Sequence, residues 1–132
     1  MYVMTIELQM LALSIVLGFV QIALATHFKN KQYGYAWNAG PRDAPMPPLN
    51  PVAGRFARAT ANFLETFPFF AVAVLIAHVA NRHSWLTFWG VQLYFWGRIA
   101  YVPAYLAGIP WIRSYIWTVS VVGIAMLLIA LI

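Results

Sequence analysis

Arg55, Arg58, Asn62 and Glu65 follow one another at spacings of three, four and three residues in the segment GRFARATANFLETFPFF, which is otherwise almost wholly apolar. That spacing sets all four on one face of an α-helix. Arg98, Tyr101 and Tyr105 repeat it at three and four within GRIAYVPAYLAGIPWIRS, and Arg113, Ser114 and Tyr115 complete the set. Ionisable groups at membrane depth are costly and face a bundle interior or a wet cavity with partners in reach. One reading is structural: an Arg98–Glu65 ion pair and interhelical hydrogen bonds that fix packing in lipid. The other is chemical. Arg55, Arg58, Arg98 and Arg113 face a single intramembrane acid, Glu65, so mutual neutralisation leaves positive charge over. The planar fork of arginine suits carboxylates, so a small carboxylate-bearing molecule is the expected ligand. The chain has no cysteine, so sulfur chemistry has to be brought by that ligand.

The elements that would carry these residues follow from composition. The 132 residues are 63% hydrophobic and 8% charged, against about 25% charged in ordinary soluble domains, which makes this an integral membrane protein. A hydrocarbon core of roughly 30 Å takes about 20 apolar residues per helix, so residues 1–132 accommodate a single domain of four transmembrane helices. Lipid demands internally satisfied backbone, and the long apolar runs lack the alternation of a barrel. The fold class is therefore all-α. The pattern places helices at about 5–27, 52–80, 85–107 and 110–131, with Gly108 closing the third and Pro110 as first residue of the fourth. Between the first two lies a long loop, 28–51, in which Gly40-Pro41, Pro45, Pro47 and Pro48 forbid a continuous helix. Ala23, Leu24 and Ala25 imitate a signal-peptide cleavage site, but the start carries Glu7 and no Lys or Arg, so cleavage is not expected.

Lys29, Lys31, Arg42 and Arg55 cluster at the first connection and Arg113 follows the third, whereas Arg82 stands alone at the other face. By the positive-inside rule both of those connections are cytoplasmic and both termini lie opposite. Glu65 then lies about 12 residues, or roughly 18 Å, into its helix, and Arg98 roughly 13 Å from the same face. The net charge of +5 reads as a topology signal and an affinity for anionic lipid headgroups, not for nucleic acid.

With Arg58, Asn62, Glu65 and Pro68 in that order, GRFARATANFLETFPFF resembles the second-helix signature of the MAPEG family, the membrane-associated proteins of eicosanoid and glutathione metabolism. GRIAYVPAYLAGIPWIRS is similar to the third-helix pattern and the Arg-Ser that opens the fourth helix. The segment WNAGPRDAPMPP looks like a bacterial branch, which implies the bacterial inner membrane. The resemblance implies a homotrimer with glutathione as co-substrate, held between subunits near the cytoplasmic side. By position, Arg58, Asn62, Glu65, Arg98, Tyr101 and Tyr105 would bind the tripeptide, and Arg113 with Ser114 would act at its sulfur. A thiol near pKa 8.5 is mostly protonated at neutral pH, and a fixed cation beside it makes thiolate available. The implied activity is that of a glutathione transferase or peroxidase acting on hydrophobic small molecules delivered from the lipid. The family also contains a lipid-binding scaffold branch without catalysis, which is the alternative. Where many catalytic members have an Arg near the end of the first helix, this chain has His27, Lys29 and Lys31, and Thr66 follows Glu65.

Several residues have plainer readings. His78 and His83 flank a turn without a third ligand, so no metal is expected. Pro68 and Pro103 interrupt two helices and kink them or open a cavity. Gly90 with Gly97, and Ala57 with Ala61, have spacings suited to close helix contact. Asp43 is expected to pair with Arg42 or to turn the chain. A small transporter is the remaining class, disfavoured by the lack of an inverted repeat.

Overall fold

The computed structural model describes residues 3–132, whose order is α1 (Ile6–Tyr33), α2 (Tyr35–Ala39), α3 (Pro51–Val79), α4 (Trp85–Ala107) and α5 (Ile112–Leu131). No strand occurs among the described residues. Three helices, α1, α3 and α5, are long and apolar enough to cross a membrane. At 23 residues α4 has the length, but its Trp, Tyr, Gln92 and Arg98 lower its hydropathy.

The helix ends correct the sequence reading in two places. α1 does not stop near residue 27 but continues through Lys29 and Lys31 to Tyr33. Those residues are polar without being helix breakers, and the first real stop is Gly34, at φ 94°. At its start Thr5 Oγ1 accepts from the Leu8 N–H at 3.2 Å, an ordinary N-cap. The fourth long helix does not begin at Pro110. Gly108 ends α4 in the left-handed region at φ 69°, Trp111 also has a positive φ of 73°, and α5 starts only at Ile112. The short reversal between α4 and α5 requires both left-handed residues, and the Pro110 carbonyl accepts from the Ile112 N–H at 2.9 Å.

The loop expected over 28–51 is tied down rather than free. Gln32 donates from Nε2 to the Pro48 carbonyl at 3.0 Å and accepts from the Asn50 N–H at 2.7 Å. Tyr33 donates its hydroxyl to the Pro47 carbonyl. This clasp delivers Asn50 to the start of α3, where its Oδ1 accepts from the Ala53 N–H at 2.9 Å and Pro51 takes the first helical position. Arg42 does not pair with Asp43. It donates to the Asn38 carbonyl and Oδ1 and lies 5.0 Å from the Trp37 ring centroid.

α3 runs unbroken through Pro68 and α4 through Pro103. The core between α1, α3, α4 and α5 centres on Tyr94, which stacks on Phe70 at 3.9 Å and shares a hydrogen bond of 3.0 Å with Thr66. α4 and α5 meet backbone to backbone: a Cβ on Gly123 would lie 2.5 Å from the Gly90 carbonyl oxygen, and one on Gly97 would meet Ser120 at 3.2 Å. Gly90 and Gly97 thus serve close contact as their spacing indicates, whereas Ala61 is exposed and Ala57 only partly buried. At the opposite end of the bundle, the buried Glu7 carboxylate accepts from the Thr87 hydroxyl at 2.7 Å and lies 3.5 Å from His83 Nδ1. That contact ties the start of α1 to the α3–α4 turn. The lateral surface exposes Phe19, Phe69, Trp96 and Ile129, an apolar exterior that fits lipid.

Candidate functional site

Three helix ends bring the polar residues together: the first turns of α3, the last turn of α4 and the first turn of α5. Arg55 is held by backbone. Its Nη1 donates to the Leu106 carbonyl at 2.9 Å, so it neutralises an orphan acceptor at the C-terminal end of α4. A Cβ on Gly108 would stand 2.9 Å from Arg55 Nη2, so the glycine supplies both the left-handed turn and the space for the guanidinium.

Arg58 is exposed and donates from Nε to the Tyr105 hydroxyl at 2.9 Å. Gly54 gives it room to fold back, since a Cβ there would come within 3.1 Å of Arg58 Nη1. Arg113, at the start of α5, lies with its Cζ 5.1 Å from the centroid of the same Tyr105 ring, and Arg58 Cζ lies at 5.8 Å. Tyr105 therefore lies near two guanidiniums and is attracted to both. Arg55, Arg58, Tyr105, Gly108, Ile109, Pro110 and Arg113 enclose a cavity of about 210 Å³. A second cavity of about 310 Å³ is lined by Asn62, Arg113, Ser114, Trp117 and Thr118. Arg113 belongs to both, and no carboxylate lines either one.

The expected Arg98–Glu65 ion pair does not form. Glu65 is exposed on α3, and the one ion pair among the described residues is that of His83 with Glu7. Arg98 is fully buried and donates from Nη1 to Asn62 Oδ1 at 2.8 Å. Its guanidinium packs 4.1 Å from the centroid of Tyr101, itself buried, while the Tyr101 and Tyr105 rings lie 5.7 Å apart. The difference is rotational: four residues spaced along one face still fan out, and α4 meets α3 on the Asn62 side.

Of the residues singled out from sequence, the structure brings Arg58, Tyr105 and Arg113 around one cavity and Asn62, Arg113 and Ser114 around the other. Arg98 and Tyr101 lie behind them, and Glu65 lines neither cavity. Sequence reasoning missed Trp117 and Thr118, which line the second cavity. Their positions three and four residues after Ser114 were the available signal. Thr118 also donates its hydroxyl to the Ser114 carbonyl at 2.9 Å.

A model of the MAPEG family matches residues 8–132. The chain belongs to the MAPEG family. Comparison with curated proteins and with solved structures found no match. Membership supports a glutathione-related transferase, peroxidase or related activity at the level of the family, and the family generally uses glutathione. The donor set is chemically suited to that ligand: Arg58 and Arg113 have no carboxylate partner among the described residues, and glutathione carries two carboxylates and a thiol. Among the described residues no three His, Cys, Asp or Glu side chains gather as a metal site, and the His78 and His83 rings are 6.3 Å apart.

Proposed function

We propose that this MAPEG protein is a membrane-bound glutathione-dependent transferase or peroxidase that prepares a thiol for attack on lipophilic electrophiles or hydroperoxides. The observation that carries the reading is the pair of exposed guanidiniums of Arg58 and Arg113 near the one Tyr105 ring, without a carboxylate partner among the described residues. Glutathione would supply the thiol, since the chain has no cysteine. Arg58, aligned by its hydrogen bond to the Tyr105 hydroxyl, would hold a carboxylate. Arg113, facing both cavities, would stabilise negative charge on sulfur, and Ser114 would donate a hydrogen bond beside it. Arg113 thereby favours release of the thiol proton to water. With an aryl halide the new sulfur–carbon bond forms as halide departs. With a hydroperoxide, two thiols become one disulfide while the peroxide is reduced to alcohol and water.

The same reading extends to assembly and topology. All four long helices cross the membrane, α4 included, and the α1–α3 and α4–α5 connections face the cytoplasm of a bacterial inner membrane, as the distribution of Lys and Arg supports. Three copies form the active unit, with Glu65, exposed in the single chain, turned toward a neighbour's ligand. The electrophile arrives through lipid. A groove of about 130 Å³ between α1 and α3, lined by Ile15, Gly18, Phe19, Ile22, Phe63, Leu64 and Phe67, favours a second reading in which an acyl chain is simply bound by a non-catalytic scaffold.

The deciding experiment uses purified protein, glutathione and a chromogenic aryl halide. Conjugation is expected, and Arg113→Ala should lower the rate far more than it weakens glutathione binding. Equal losses in both would remove sulfur activation from Arg113. Absence of any glutathione-dependent thermal shift would favour the scaffold.

A further inference from the structure

Arg98 differs from every other arginine in the chain. It is 0% exposed, has no carboxylate within ion-pair distance among the described residues, and makes one side-chain hydrogen bond, from Nη1 to Asn62 Oδ1 at 2.8 Å. Its Nε and Nη2 have no hydrogen-bond partner among the described residues, and its guanidinium lies against Tyr101 and Phe63, at 4.1 and 5.7 Å. A cation placed so deep needs a reason beyond packing.

The chemistry of the contact supplies one. Guanidinium groups donate and never accept, so the atom that Asn62 turns toward Arg98 has to be its carbonyl oxygen. An asparagine amide is planar, with oxygen and NH2 on opposite sides of the terminal carbon. Holding the oxygen against Arg98 therefore fixes where the NH2 points. Asn62 also lines the cavity shared by Arg113, Ser114, Trp117 and Thr118.

We propose that Arg98 is a positioning residue: by holding the Asn62 carbonyl oxygen inward, it makes Asn62 present two N–H donors to the cavity beside Arg113. The cavity wall then offers the Asn62 NH2, the Arg113 guanidinium and the Ser114 hydroxyl, and no carboxylate. Such a wall favours the thiolate over the thiol. Without Arg98 the amide is free to turn its oxygen outward, where a lone pair would oppose negative charge on sulfur. This inference rests on the thiol-activating reading above and assigns Arg98 a role that does not require it to touch the ligand.

The test is a pH titration of the ultraviolet thiolate absorbance of glutathione bound to the detergent-solubilised full chain. Asn62→Asp is nearly isosteric and keeps an oxygen for Arg98, but exchanges the outward NH2 for a second carboxylate oxygen. It should raise the pH of half-ionisation of the thiol by roughly one unit, and by more than Asn62→Ala does. Arg98→Gln, whose amide can donate or accept, should raise it as well, and Arg98→Lys, again a pure donor, should undo most of the rise. In an Asn62→Ala background the Arg98 substitutions should have no further effect on the titration. If Asn62→Asp and Asn62→Ala titrate alike, or if Arg98 substitutions act undiminished without Asn62, the positioning role is refuted. Should Arg98→Gln fail to fold, the two Asn62 variants and Arg98→Lys still decide it. A wild-type protein that shows no thiolate signal would instead overturn the thiol-activating reading itself, and this inference with it.

Discussion

Tyr105 offers the most discriminating perturbation, because its hydroxyl and its ring perform separable tasks. Tyr105→Phe removes only the oxygen that accepts from Arg58 Nε at 2.9 Å and leaves the ring 5.8 Å from Arg58 and 5.1 Å from Arg113. A hydrogen bond to a charged group is worth about 1.5–3 kcal/mol, but Arg58 is exposed and water replaces much of it. A net loss of about 0.5–1 kcal/mol is the reasonable scale. If the bond only pre-aligns Arg58 for a carboxylate, glutathione affinity should fall about two- to fivefold. Tyr105→Ala also removes two cation–π contacts, each worth about 0.5–1 kcal/mol at an exposed site, so its loss should reach about tenfold to a hundredfold. Isothermal titration with glutathione, on detergent-solubilised protein, reads both. Were Tyr105→Phe to lose as much as Tyr105→Ala, the hydroxyl would be a direct ligand contact and the pre-alignment argument would be wrong. Were neither to matter, the tripeptide would not lie between these arginines at all.

Gly123→Ala would press a methyl group to within 2.5 Å of the Gly90 carbonyl oxygen and 2.9 Å of the Tyr94 nitrogen. Both are backbone atoms that cannot swing aside, so the helices must part at a cost of about 1–3 kcal/mol; thermal melting should fall by several degrees, and an unchanged melting temperature would contradict the contact. Gly108→Ala combines a left-handed residue, at roughly 1 kcal/mol, with a clash against Arg55, and should speed hydrogen exchange at the end of α4. Gln32→Leu removes both bonds of the clasp on Pro48 and Asn50; faster amide exchange at Leu49 and Asn50 is expected, with α1 itself unaffected. Glu65→Gln should leave melting within about 0.5 kcal/mol, as expected for an exposed site without an internal partner, while reducing glutathione affinity. Loss of folding in that variant would reveal an internal pairing that the geometry does not contain.

What could be read from the chain alone divides along physical lines. The apolar stretches are bounded by hydrophobicity and by special residues such as Gly108, and both are local properties. The differences at Tyr33 and Pro110 have local causes too: polarity does not by itself end a helix, and a proline near a helix start need not hold the first position. The left-handed Trp111 could not be foreseen, because tertiary closure between α4 and α5 imposes it against preference. At the site, periodicity selected residues that share a helical face, but it could not say which neighbour each one meets. Arg55 meets a carbonyl, Arg98 meets Asn62, and Glu65 has no ion-pair partner among the described residues. Charge counting assigned all of them to one pool; geometry divides them into satisfied and unsatisfied groups.

That division bears on the assembly. Arg58 lies at the start of the third turn of α3, Arg113 in the first turn of α5 and Tyr105 in the last turn of α4, so all three stay within about 10 Å of the helix ends, where water can reach them. Glu65 is the exception. Fourteen residues beyond Pro51 place it about 21 Å along α3, on an exposed face between Leu64 and Phe69, which are themselves apolar and exposed. A carboxylate at that depth facing lipid would be costly, and no helix of the same chain covers it. That cost supports the assembly proposed above, in which a second copy would cover α3 and Glu65 would lie against a ligand or side chain of the neighbour. In mild detergent the protein should run as more than one chain, and Glu65→Leu, which removes the reason for cover, should loosen that association and lose glutathione. Association and glutathione affinity that both survive Glu65→Leu unchanged would refute the placement of Glu65 against a neighbour.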